Sequence, residues 1–112
     1  MATILGDFIY LPAVTGVTDL DMEQPLSVVK MVLVGNATVN AVNMDPLTDM
    51  SFVIMEVQQD ATGSRLVTWG AEFLFEGGTA PTLSTGPGAI DTFTFLQTGG
   101  TLKCLGCSLN LG

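Results

Sequence analysis

Short apolar runs rich in β-branched residues, each closed by glycine or proline, follow one another along the whole chain, and none carries the 3.6-residue period of an amphipathic helix. LSVVKMVLV (26–34) ends at Gly35-Asn36, MSFVIMEVQ (50–58) ends in the turn-forming QDATGS, and AIDTFTFL (89–96) ends in Gln97-Thr98-Gly99-Gly100. Valine and isoleucine fit a pleated, half-buried surface, whereas glycine supplies the backbone freedom that tight turns need. The pattern predicts an all-β domain, a small antiparallel β-sandwich or jelly roll of roughly seven or eight strands.

With 112 residues, the chain has room for one core. Leu26 to Gly112 is read as the sandwich domain. Residues 1–25 are read as an extended N-terminal arm with one short strand, because Pro12 and Pro25 interrupt it and an acidic stretch follows the apolar Phe8–Leu11. Further along, Gln58–Arg65 is read as a hairpin loop returning into a strand that ends at Trp69. In Ala89–Leu96, Ile90, Thr92, Thr94 and Leu96 alternate with Asp91, Phe93 and Phe95. Both faces of that strand carry bulky groups, so one is expected to meet a neighbour. Phe8, Ile9, Tyr10, Leu11, Phe93 and Phe95 are the candidate interface residues. A small β unit with apolar surface on both sides commonly oligomerises, and a homotrimer is expected.

Apolar residues make up 47% of the chain and charged ones only 12%, which leaves too little charge to cover an ordinary monomer surface. Eleven acids face only Lys30, Arg65 and Lys103, a net charge of −8. Direct binding to nucleic acid or to an anionic membrane has little electrostatic support. The start Met-Ala-Thr-Ile has no basic leader and no apolar run approaches the length of a membrane helix, so neither a signal peptide nor a span is expected.

The chain has no histidine, the commonest general base near neutral pH and a common metal ligand. No base and nucleophile pair stands out, and an enzyme is not expected. Cys104 and Cys107 form C-x2-C, but zinc needs four ligands and the chain has no further cysteine. Residues three apart on a regular strand point to opposite faces, so two reduced thiols are expected unless a bulge intervenes. Asp19, Asp21 and Glu23 alternate without the spacing of a calcium loop, and read as a solvated or partner-facing acidic stripe. Gly77-Gly78 and Gly99-Gly100 read as turns, and Trp69 as a core or interface residue. No cofactor and no metal site is expected.

The stretch QDATGSRLVTWG (59–70) followed by EGGTAPTLSTGPGAIDTFTFLQTGGTLKCLG (76–106) resembles a β module of tailed-bacteriophage structural proteins, found in head decoration or head fibre proteins and at tail fibre tips. Residues 77–85 and 88–91 are the most specific parts. The chain departs from the module's pattern at Gly70, where proline is usual, and at Phe75-Glu76, where tryptophan-proline is usual. The resemblance implies architectural residues without a catalytic set. It also implies a capsid decoration (cement) protein on the outer surface of the virion, with the major capsid protein and further copies of itself as partners. The alternative it leaves open is a tail fibre or tail appendage that binds a host receptor.

Overall fold

The computed structural model describes residues 3–5 (backbone only), 8–23, 26–47 and 50–111. They form an all-β domain with eight strands: β1 (Thr3–Leu5), β2 (Phe8–Asp21), β3 (Val28–Val42), β4 (Ser51–Gln59), β5 (Val67–Trp69), β6 (Phe73–Leu74), β7 (Ile90–Thr98) and β8 (Thr101–Leu111). The strands make one curled sheet in the order β1-β2-β3-β4-β7-β8-β6, with β5 beside β3. The result is a half-barrel closed around a single core.

The sheet is mixed, which corrects the antiparallel arrangement expected from the sequence. β2 and β3, β3 and β4, β3 and β5, and β6 and β8 run parallel, while β1 with β2, β4 with β7, and β7 with β8 run antiparallel. Parallel neighbours ordinarily need a long crossover. Here the long strands bend instead, so the chain comes back near its own start. The β2–β3 register slips between Leu11 and Gly16, and β3 gives its first half (Val28–Leu33) to β4 and its second (Ala37–Val39) to β5. Gly35 marks the bend in β3, since a Cβ there would collide with the Thr15 hydroxyl of β2. Gly35-Asn36, read as a tight turn between two strands, is thus a bend inside one strand. Likewise Gln58–Arg65 closes no hairpin: it carries the chain from β4 onward to β5, and both lie parallel to β3.

The segment read as an arm is, over Phe8–Asp21, an integral strand. It pairs with β3 along nearly its whole length, and Val14, Leu20 and the following Met22 are buried in the common core. Proline at position 12 is tolerated because the β2–β3 register is interrupted beside it. Residues 1, 2, 6, 7, 24 and 25 of that segment lie outside the described residues.

The core is built from alternate residues of the central strands, with Val29, Met31 and Leu33 of β3, Val53 and Met55 of β4, and Leu102 of β8 all buried. Phe93 and Phe95 close it from β7. Both belong to an aromatic cluster with Trp69, Phe73 and Phe75, whose ring centroids stand 5.0–6.1 Å apart in mostly tilted or edge-on contacts. Such geometry sets the positive edge of one ring toward the negative face of the next.

Two buried polar side chains hold the irregular segments on this core. Gln59 donates to the carbonyls of Arg65 (2.8 Å) and Ser84 (3.1 Å) and accepts from the Arg65 N–H (2.9 Å). Asp91, only 1% exposed, accepts from the backbone N–H groups of Ser84 (2.7 Å) and Asn110 (2.8 Å). Each would be costly to bury unpaired, and neither leaves a buried polar atom without a partner. Gly63 has a positive φ of 75°, and a Cβ there would stand 2.5 Å from the Thr85 carbonyl, so glycine is required where the two loops touch.

Candidate docking face

The curled sheet has a concave side, filled by the core, and a convex side facing outward. Strand register decides which residues share the convex side. Phe8 lies beside Val28, Val28 beside Ile54, and Ile54 beside Thr94. One row along, Phe52 lies opposite Leu96. Phe8, Val28, Phe52, Ile54 and Leu96 therefore form a contiguous apolar area, with Phe52 63% and Ile54 44% exposed. The neighbouring row holds Tyr10, Lys30, Glu56 and Thr92, in which the Lys30 ammonium pairs with the Glu56 carboxylate. A clustered apolar surface edged by polar groups is the usual mark of an interaction site.

Of the six residues singled out in the sequence, the structure sets Phe8 and Tyr10 on this face, partly exposed. Ile9 and Leu11 point the other way and pack against the core. Phe93 and Phe95 are corrected outright: both are 0% exposed, at the centre of the core, and offer nothing to a neighbour. The alternation in Ala89–Leu96 gives two apolar faces without saying which is inside, and the aromatic cluster decides it. Phe52 and Ile54 are the residues that sequence reasoning misses. Their signal is present in MSFVIMEVQ, where bulky residues occupy both parities of a strand that has only one core to fill.

The three cations are all engaged within the chain. Lys30 pairs with Glu56, the Arg65 guanidinium stands 3.0 Å from an Asp60 carboxylate oxygen, and Lys103 donates to the Thr98 carbonyl and to the hydroxyls of Thr98 and Thr101 over the β7–β8 turn. The Arg65 guanidinium and the N–H of Gly63 hold the Asp60 carboxyl below its ordinary value. The acidic stripe on β2 is braced from β3 and the residue that follows it: Asp19 accepts from the Asn40 amide and Asp21 from the Asn43 amide, each at 3.0 Å. The Asn43 bond, with the N–H of Glu23, lowers the Asp21 carboxyl as well.

The two thiols occupy a separate place. Phe95 pairs with Cys104 and Thr94 with Gly106, so Leu105 is an extra residue in β8. This bulge puts Cys104 and Cys107 on the same side of the strand, opposite Phe95 and Phe93. Both are free thiols, Cys104 half-buried and Cys107 exposed. They line a cavity of about 220 Å³ whose other wall is Phe75, Glu76, Thr79 and Pro81. Burial pushes the Cys104 thiol up, partly opposed by a backbone hydrogen bond at Gly106.

Among the described residues, no three histidine, cysteine, aspartate or glutamate side chains converge as metal ligands, and no helix is long and apolar enough to cross a membrane. Comparisons of the sequence with protein-family models and with curated proteins, and of the structure with solved structures, find no match.

Proposed function

We propose that this chain is a structural protein of a tailed-phage particle, a capsid decoration (cement) protein that binds the outer surface of the shell and stabilises it without covalent bonds. The observation that carries the reading is the convex face, where Phe52 and Ile54 stand exposed beside Leu96 on rigid central strands. Apolar area already held in place by paired strands docks against another protein with little ordering cost. The resemblance of residues 59–70 and 76–106 to phage structural modules supplies the context. Two of the three cations are paired with Glu56 and Asp60, so the remaining acids dominate the outward field and favour solubility of the unassembled protein.

Decoration proteins act at symmetry positions, so the functional unit we propose is a homotrimer whose subunits each contact the major capsid protein. A receptor-binding tail appendage has less support. That role calls for aromatic side chains presented to solvent near Trp69 and Phe75, but both rings turn into the aromatic cluster and are half-buried. A catalytic role would need a base and a nucleophile around a cleft, and the chain has no histidine. The cavity beside the thiols is smaller than most ligand pockets.

Adding the protein back to shells stripped of it tests the reading. Wild-type protein should rebind and raise the temperature at which the shells disassemble. The Phe52→Glu variant should lose at least about tenfold in affinity, as expected for an anchor residue at the centre of an interface. Equal binding by the variant would remove the convex face from the mechanism.

A further inference from the structure

We propose that Cys104 and Cys107 form a two-thiolate site for a soft monovalent cation, Cu(I), within a single chain and independently of any role on a capsid. The sequence argues against joint action, because residues three apart on a regular strand face opposite ways. The bulge at Leu105 removes that obstacle by fitting four residues of β8, Cys104 to Cys107, opposite three of β7, Phe93 to Phe95. Both cysteines then line the cavity bounded by Phe75, Glu76 and Pro81.

The spacing favours an ion over a disulfide. Same-face positions on a strand lie about 6.4–6.8 Å apart at Cα, at the long end of the disulfide range and beyond its usual value of about 5.5–6 Å, and the cysteines are free. An ion between the sulfurs, with metal–sulfur bonds of about 2.3 Å, lets them stay well beyond bonding distance of each other. The ligand set selects the metal. Zinc completes a tetrahedron, and no histidine or third cysteine exists in the chain to help. Cu(I) is soft, prefers thiolates and is satisfied by two of them. On binding, each thiol releases its proton to solvent and its sulfur donates an electron pair to the ion, with no change of oxidation state. The bound centre carries one net negative charge, with Phe75 and Pro81 along one wall and the Cys107 side open to solvent.

The test uses the full-length reduced chain without oxygen, titrated with Cu(I) against a chromophoric Cu(I) chelator. Expected are one ion per chain, a thiolate-to-copper absorption band, and protection of both cysteines from alkylation. Cys104→Ser and Cys107→Ser should each abolish the one-to-one uptake while keeping the wild-type melting temperature, and Glu76→Gln should leave it intact. Should a serine variant fold poorly, alkylation of the wild-type chain with and without Cu(I) decides the matter, since equal labelling of both cysteines in the two samples would exclude them as ligands. Uptake by the doubly substituted chain equal to wild type would overturn the proposal. So would one ion per two chains with a dimer in sedimentation, which would place the ion between copies.

Discussion

Phe52 of β4 and Leu96 of β7 lie directly opposite each other on the convex side of the sheet, while the residues next to them, Val53 and Phe95, pair on the buried side. One β-ladder thus presents apolar pairs to both core and solvent. Because Phe52 is 63% exposed, Phe52→Glu is expected to change folding stability by no more than about 0.5 kcal/mol. It should also weaken any self-association through this face. Denaturant unfolding and sedimentation of the same sample check both.

Phe93 should behave in the opposite way. It is fully buried and in contact with Trp69 and Phe95, so Phe93→Ala should destabilise the fold by about 3–5 kcal/mol through lost burial and the cavity left behind. Denaturant titration measures it. A change below about 1 kcal/mol would mean that the ring is not in the core.

Removal of residues 1–23 deletes β2 and with it Val14, Leu20 and Met22 from the core. The truncated chain is expected to lose cooperative unfolding and expose the edge of β3, which the parallel β2–β3 ladder covers. A cooperative melt near the wild-type temperature would return the segment to the role of a separable arm.

Acid should act in part through Asp60. Its carboxyl is held below the ordinary aspartate value by Arg65 and the Gly63 N–H. A carboxyl lowered in the folded state adds stability that is complete above its unfolded pKa and fades as pH falls through its folded one. Asp60→Asn should therefore be less stable than wild type at neutral pH, and the difference should shrink below about pH 4. Melting temperatures of both proteins between pH 7 and pH 2 give the comparison.

The β character of the chain is legible in its sequence because β-branched runs and glycine turns act locally. Strand direction is not. Nothing local distinguishes a turn at Gly35-Asn36 from a bend within β3, and the choice rests on β2 reaching back to lie beside it. The same holds for the site. Alternation identifies two apolar faces on β4 and β7, but the aromatic ring contributed by Trp69, far along the chain, determines that Phe93 is inside and leaves Phe52 outside. The shared face of Cys104 and Cys107 depends on one unpaired residue, Leu105, that only the pairing with β7 reveals.

The number of copies of this protein per purified phage particle, measured by quantitative mass spectrometry against the major capsid protein, tests the proposed function most directly. A decoration protein at local symmetry axes should be present on the order of hundreds of copies, in simple proportion to the shell subunits. A count on the order of ten would place it on the tail, and its absence from the particle would contradict a virion role altogether.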